Sequence, residues 1–145
     1  MKLSLVTLLL FSLSLPGCAD SPSDRYQAAY EAGQLAKKKQ KNKKQSADTM
    51  ERYLLFFTQS SAEFLRTADQ LVLASSKSTY VNVRTLLPKA EAKDVNINGN
   101  MATLTMKSKK SEFEVRMLQE KGNWVIDPFS MKLFWAPLNK EANDD

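Results

Sequence analysis

The sequence predicts an α+β domain in which one long amino-terminal helix packs on a curved, antiparallel, four-stranded sheet. Apolar residues recur at steps of three and four between positions 50 and 72, which is the period of a helix. From position 90 onward apolar and polar residues alternate, which is typical of half-buried strands. Tight-turn residues divide the alternating region, so consecutive strands are expected to pair with each other. Helix and sheet would form two layers around one core.

The chain begins with a short apolar segment behind a positive charge. Lys2 precedes the apolar run at positions 3–15, and Gly17 lies just before Cys18. A helix of this length spans about 20 Å, well short of the ~30 Å hydrocarbon core of a bilayer. Residues 1–17 are therefore predicted to be a secretory signal peptide that is removed.

Leu15-Pro16-Gly17-Cys18 resembles the lipobox of bacterial lipoprotein signal peptides. The resemblance implies cleavage before Cys18 and attachment of fatty chains such as palmitate to its thiol. Two or more buried chains hold a protein on a membrane stably. In lipoproteins of this kind, a residue other than aspartate after the cysteine favours the outer membrane, facing the periplasm, and here it is Ala19. An inner membrane and a Gram-positive cell surface remain alternatives.

Two residue types are scarce in this chain. Cys18 is the only cysteine, so no disulfide can form within one chain, and histidine is absent. These absences remove the usual zinc ligands, the thiol nucleophile and the commonest general base. We therefore predict no catalytic residue, metal or cofactor, and rank an enzyme last among the functions considered.

Residues 18–45 are predicted to form a polar tether. A helix over 24–36 is expected to be weak, because it contains Gly33 and few large apolar residues. Dense lysines should then keep the chain solvated, and they either act as a spacer or contact anionic lipid or cell wall. Nucleic acid is not expected as a partner, because no aromatic residues interleave with the charges. The lysines are Lys37, Lys38, Lys39, Lys41, Lys43 and Lys44.

The globular domain is predicted at 46–138, beginning with a helix over 48–74. Cap residues occupy 46–49, and neither glycine nor proline interrupts 34–87. Ser60-Ser61 is the expected place for a bend or division. Leu55 and Phe56 lie off the apolar stripe, which indicates a second buried side or contact with a partner.

The remaining elements are a loop, four strands and a tail. A loop is expected at 75–78 and a short extended segment or turn at 80–87. Asn98-Gly99 and Lys121-Gly122-Asn123 predict hairpin turns, and Pro128 interrupts the last strand. The acidic residues 139–145 are predicted to be a tail. The strands are predicted at 89–97, 101–107, 112–120 and 124–127, with the last resuming at 130–135.

The segment Gly122-Asn123-Trp124-Val125-Ile126-Asp127, together with the lipobox, long helix and hairpin, resembles small bacterial lipoproteins of the nuclear-transport-factor-2-like superfamily. Within that superfamily the resemblance is closest to the uncharacterised lumazine-binding-like group. It implies a curved sheet around the helix, often with a conical pocket. A cystatin-like module would produce nearly the same pattern.

Two groups of residues are candidate sites. A pocket is predicted at the mouth of the helix-sheet space. The preferred interpretation of Asp127 is nevertheless a strand-end residue hydrogen-bonded to a turn, and that of Trp124 is packing in the core. An exposed aromatic patch near the carboxyl end would mark a protein interface, while burial in the core is the alternative. The pocket group is Tyr53, Tyr80, Arg116, Trp124 and Asp127, and the interface group is Phe56, Phe134 and Trp135.

The favoured function is that of a membrane-anchored periplasmic interaction module. It would associate with itself or with an envelope complex such as a secretion or conjugation apparatus. The alternative is a binder of a small apolar or aromatic ligand in the helix-sheet cavity. A filled interior favours the first function, and an empty cone lined by tyrosine and tryptophan favours the second.

Overall fold

The computed structural model describes residues 20–74 and 82–131. Within these ranges, three helices pack on a four-stranded antiparallel sheet, which confirms the predicted α+β class and the four strands. The helices are α1 (Pro22–Lys38), α2 (Lys43–Leu54) and α3 (Gln59–Ala74), and the strands are β1 (Glu91–Asn98), β2 (Met101–Lys107), β3 (Glu112–Glu120) and β4 (Asn123–Asp127). Short 3₁₀ turns occupy Val83–Thr85 and Pro128–Ser130.

The strands form a meander in the order β1-β2-β3-β4. Gly99, with φ of 60°, lies in the turn between β1 and β2. Lys121 and Gly122, with φ of 52° and 80°, form the turn between β3 and β4. Two successive positive φ angles match the twist of the flanking strands. Both predicted hairpins are therefore confirmed, but the first turn is Gly99-Asn100, and Asn98 is the last residue of β1.

The prediction of one helix over 48–74 is wrong, because the helix divides after Leu54. The backbone around Phe57 leaves the helix and runs parallel to β4. Ile126 N–H donates to the Phe56 carbonyl at 2.7 Å, and Thr58 N–H donates to the Ile126 carbonyl at 2.9 Å. Pairing with the outer edge of β4 thus replaces helical hydrogen bonds in the α2–α3 linker, residues 55–58.

The prediction of a tether over 18–45 is wrong for residues 22–38, which form α1 within the domain. Ser21 caps this helix, and Tyr26, Ala29 and Ala36 are fully buried. A Cβ built on Gly33 would lie 2.7 Å from the Arg84 carbonyl oxygen and 3.0 Å from the Tyr53 ring. The small residues of α1 therefore permit close packing, where the sequence analysis had taken them as a sign of weakness.

One face of the sheet meets the helices and forms the core. The apolar residues of β2 and β3 alternate inward as predicted. From the helical side, Tyr26, Tyr53, Phe57 and Leu65 fill the space above them. The inward residues of the sheet are Ala102, Leu104, Met106, Phe113, Val115, Met117, Trp124 and Ile126.

The inward face of β1 extends past this core. Val95 and Ile97 lie opposite Leu104 and Ala102, so they share the helix-facing side of the sheet. Their exposed fractions are nevertheless 37% and 54%. The register shifts between Ala92 and Asp94, which places the extra residue of a β-bulge at Lys93. The helical layer therefore covers the start of β1 better than its end.

Several predictions fall outside the described residues. These are the signal peptide over 1–17, the loop at 75–78, the resumed strand beyond position 131 and the tail over 139–145. Among the candidate site residues, the same applies to Cys18, Tyr80, Phe134 and Trp135.

Candidate functional site

The outer edge of β4 is closed by other parts of the same chain. Besides the two hydrogen bonds between Ile126 and the α2–α3 linker, Arg25 Nε donates to the Trp124 carbonyl at 3.1 Å. The Trp124 carbonyl and both backbone groups of Ile126 thus have partners, and these contacts leave little room for a further strand. This is a common way of protecting a sheet edge.

Arg25 also holds the linker in place. Its guanidinium carbon lies 4.2 Å from the centre of the Phe56 ring, a cation–π contact, and Nη2 lies 3.5 Å from the Leu55 carbonyl oxygen. Phe56, predicted as an interface residue, is half-buried and packs against the core. In this structure it helps to close the β4 edge.

The outer edge of β1 is open. Within the described ranges, β2 is the one strand that pairs with it. Asn98 and Met101 close a two-residue turn and so form a hydrogen-bonded pair. Alternation along the strand then directs the N–H and C=O groups of Val95 and Ile97 away from β2. Seven of the eight residues of β1 are exposed.

The features that commonly protect a sheet edge occur only in the first half of β1. Bulges and charged side chains discourage the addition of strands. Here the bulge and Lys93 fall at the beginning of the strand. Residues 94–98, the segment that we call the open edge, combine the exposed side chains of Val95 and Ile97 with outward backbone groups that pair with no residue of 20–74 or 82–131. A contiguous exposed apolar surface beside unpaired backbone is a candidate docking site for an extended chain.

Tyr53 and Trp124, two residues of the predicted pocket, belong to the core. Tyr53 is fully buried, and its hydroxyl donates a hydrogen bond to the Val83 carbonyl at 3.2 Å. Its ring meets the Phe57 ring edge-on, with the ring centres 4.9 Å apart. Burial, with a smaller contribution from Tyr26, raises the pKa of the Tyr53 hydroxyl, so it remains a donor. Trp124 is 6% exposed and packs in the same cluster.

Arg116 and Asp127, the other pocket candidates that can be placed, are neighbours on a different surface. They are directly opposite each other on β3 and β4. Because side chains alternate along β4, Asp127 faces away from the side that holds Trp124 and Ile126. Its carboxylate accepts the Phe129 N–H at 3.1 Å and caps the following 3₁₀ turn. The four predicted pocket residues that the structure describes therefore do not converge on one pocket.

The sequence analysis missed a buried ion pair. The Asp69 and Arg84 side chains are only 6% and 1% exposed. Arg84 donates from Nε and Nη2 to the two carboxylate oxygens, each at 2.7 Å, and from Nη1 to the Ala36 carbonyl at 2.8 Å. The pair joins α1, α3 and the first 3₁₀ turn. The signal in the sequence was the four-residue repeat of Ser61, Leu65 and Asp69, all buried on α3.

The predicted lysine run lies on the α1–α2 connection. Lys37 and Lys38 occupy the last turn of α1, where positive charge is favourable, and Lys43 and Lys44 begin α2. Lys41 lies between them, and all five are exposed, whereas Lys39 is half-buried.

The surface of the described residues includes three clefts of several hundred Å³. One of about 440 Å³ lies over the buried ion pair, between Lys41, Met50 and Leu73. At its rim Arg66 makes two hydrogen bonds to Glu51, at 2.7 and 2.9 Å, which lower the pKa of that carboxyl. A second, of about 380 Å³, adjoins Leu55 and Val125. The third, of about 770 Å³, lies between Lys89 and the β2–β3 turn. Neither Tyr53 nor Trp124 lines any of them.

The described residues provide neither a metal site nor a membrane-spanning helix. No group of three or more carboxylate, histidine or cysteine side chains is placed there to hold a metal ion. The helices of residues 20–74 are each too short or too polar to cross a membrane. No protein-family model, curated protein or solved structure matches this chain.

Proposed function

We propose that this protein is a lipid-anchored interaction module of the bacterial cell envelope that docks through the open edge of β1 onto a second copy of itself. The observation that carries the proposal is the difference between the two sheet edges. The chain closes β4 with Arg25 and the α2–α3 linker. Residues 94–98 of β1 instead present apolar side chains and outward backbone groups that have no partner in the described part of the chain. The lipobox resemblance of Leu15-Pro16-Gly17-Cys18 supports the anchor and an outer-membrane, periplasmic location.

A second copy suits this edge because its sequence is self-complementary. In an antiparallel pair centred on Asn96, Val95 of each copy lies opposite Ile97 of the other. Asp94 then lies opposite Asn98, and no like charges face each other within residues 94–98. The outward backbone groups of Val95 and Ile97 coincide as hydrogen-bonded pairs. A two-fold arrangement of this kind is the commonest symmetry of oligomers.

The filled interior supports an interaction module over a binder of small ligands. Tyr26, Tyr53, Met106 and Met117 are each at most 1% exposed and occupy the space between helices and sheet. A ligand there would have to displace close-packed side chains, which costs several kcal/mol.

An anchor on Cys18 would leave the open edge accessible. The chain enters α1 at Pro22, and Arg25 in the next turn contacts β4. β1 lies at the opposite side of the sheet, three strand spacings or roughly 14 Å away. A strand contact of this size is weak in dilute solution, but confinement to one membrane raises the effective concentration of the copies.

The docking surface is tested with Asn96→Cys. In the proposed register the two Asn96 residues form a non-hydrogen-bonded pair with Cα atoms about 4.5 Å apart, within the range that a disulfide spans. We expect a disulfide-linked dimer on non-reducing gels of envelope fractions. The matched control is Thr103→Cys, which lies beside Asn96 but one strand inside the edge. It should give no more dimer than the wild type.

A second variant separates docking from folding. Ile97→Lys places like charges beside the two-fold axis, and should abolish the Asn96→Cys dimer. Because Ile97 is 54% exposed, its replacement should change the free energy of unfolding by at most about 0.5 kcal/mol. Equal dimer from Asn96→Cys and Thr103→Cys would contradict the proposal. A disulfide of Asn96→Cys to a different protein alone would keep the docking edge and reject the second copy.

The anchor has its own test. Cys18→Ala should move the protein from the membrane fraction to the soluble periplasm, because the removed acyl chains supply about 0.8 kcal/mol per buried methylene. Native mass spectrometry of the wild type should show an acylated amino-terminal Cys18. An unmodified thiol, or a Cys18→Ala protein that still sediments with membranes, would reject the anchor.

A further inference from the structure

We propose that the third cleft, which we call the lysine cleft, binds a phosphate-bearing ligand. It is formed by Pro88, Lys89 and Glu91 on one side and by residues 107–111 on the other. Lys89, Lys107, Lys109 and Lys110 line it. This site is separate from residues 94–98 of the open edge and from the lysine run of the α1–α2 connection, and it does not depend on either.

The charges in the lysine cleft are unbalanced. Glu91 is the one carboxylate in the lining, against four ammonium groups. No carboxylate of residues 20–74 or 82–131 lies within 4 Å of those four. The nearby Glu112 accepts a hydrogen bond from Lys93 at 2.9 Å, and that bond, with a smaller contribution from Lys107, lowers the pKa of its carboxyl. The neutralising acids of this region are therefore too few, and the cleft keeps a net positive field.

The backbone of both walls is fixed. On one side the Ser108 hydroxyl accepts the N–H groups of Lys110 and Ser111, at 3.3 and 3.1 Å, and donates to the Ser111 carbonyl at 2.9 Å. On the other side the buried Tyr26 hydroxyl donates to the Pro88 carbonyl at 2.9 Å. Because the walls are held before any ligand arrives, little ordering of the backbone opposes binding.

A phosphate group is the ligand chemistry that this arrangement fits. Several ammonium groups around one concave surface concentrate the field and raise the local anion concentration. Lysine binds phosphate as a point charge, without the planar geometry that favours arginine for carboxylates. A volume of about 770 Å³ accommodates a phosphate together with the group that carries it. Either a lipid headgroup or a free phosphate ester would supply this chemistry.

The test compares two double charge reversals in the full chain, held in nanodiscs of neutral phosphatidylcholine. Titration calorimetry with inorganic tripolyphosphate measures the affinity. Lys109→Glu with Lys110→Glu should weaken binding by about tenfold or more, since two charges that attract the anion are replaced by two that repel it. The matched control, Lys41→Glu with Lys43→Glu, changes the net charge equally but lies outside the lysine cleft. It should weaken binding by less than about threefold, through long-range charge alone.

Additional arms identify the ligand source and the outcomes that overturn the proposal. Capture of the nanodiscs by phosphatidylglycerol vesicles, but not by phosphatidylcholine vesicles, with loss in the Lys109→Glu, Lys110→Glu protein, would support a lipid headgroup. Tripolyphosphate binding without such capture would support a free phosphate. Three outcomes would overturn the proposal. They are equal weakening of tripolyphosphate binding by the two double variants, binding of succinate as tight as that of tripolyphosphate, and binding of neither tripolyphosphate nor phosphatidylglycerol vesicles.

Discussion

The two outer edges of the sheet differ in how their backbone groups are paired. On β4, the carbonyl of Trp124 and both backbone groups of Ile126 are bonded by Arg25 and by the α2–α3 linker. On β1, the corresponding groups of Val95 and Ile97 have no strand beside them in the described ranges. Closing β4 interrupts a helix that the apolar pattern would otherwise continue. The contrast shows that helical segments of this fold can cover a sheet edge, and that in the described ranges they cover β4 but not β1.

The largest expected effect comes from the buried ion pair of Asp69 and Arg84, which joins the helices. The same helical layer carries Arg25 and the α2–α3 linker, which cover β4. Asp69→Ala leaves Arg84 buried without its carboxylate, and should lower the free energy of unfolding by about 3–5 kcal/mol in urea denaturation. Amide exchange of Ile126 should accelerate with it. Glu51→Ala, which breaks an exposed ion pair, should cost at most about 1 kcal/mol. Equal costs for the two variants would show that the buried pair does not hold the layer.

The next effect concerns the placement of α1, which carries Arg25 to β4. Gly33→Ala would bring a methyl group to 2.7 Å from the Arg84 carbonyl oxygen, a backbone atom. The helix must shift, and we expect a loss of about 1–3 kcal/mol by urea denaturation, although alanine is the better helix former. Gln34→Ala, at the exposed neighbouring position, serves as the control and should stay within about 0.5 kcal/mol. A stabilised Gly33→Ala protein would disprove the close packing.

The smallest effect is local to the closed edge. Arg25→Met removes the hydrogen bond to Trp124 and the contact over Phe56, and should cost about 1–2 kcal/mol. Amide exchange should increase at Ile126 and Thr58 but not in β2. The control is Gln27→Met, at an exposed position of α1 two residues after Arg25. It should leave amide exchange unchanged. If Arg25→Met is also silent, the linker alone closes β4, and the comparison between edges rests on Phe56 and Thr58.

The sheet was predictable from the sequence because each strand depends on short-range signals. Alternation in β2 and β3, and positive-φ residues at Gly99 and Gly122, fix both the strands and their order. The exposure of Val95 and Ile97 was not predictable. Periodicity says which face a side chain shares, but the extent of the helical layer above that face is a tertiary property.

The helices were harder to predict, because their boundaries are set by contacts distant in sequence. Leu55 and Phe56 lie off the apolar stripe, which correctly indicated an irregularity. Nothing in the local sequence indicated that the backbone of Phe56 and Thr58 would form hydrogen bonds with Ile126. Gly33 and the lysine run suggested a solvated tether, whereas the close contact with Arg84 and Tyr53 explains the small residues. The burial of Asp69 was missed for the same reason, since its partner follows 15 positions later.

The early start of α1 has a mechanical consequence for the proposed anchor. Only Ala19, Asp20 and Ser21 separate Cys18 from Pro22, the first residue of the helix, a leash of about 10 Å even when extended. A protein held so tightly would slide laterally but could hardly tilt or lift from the bilayer. Neighbouring molecules would then meet upright, at one height, so that a single swivel about the membrane normal brings their matching sides face to face.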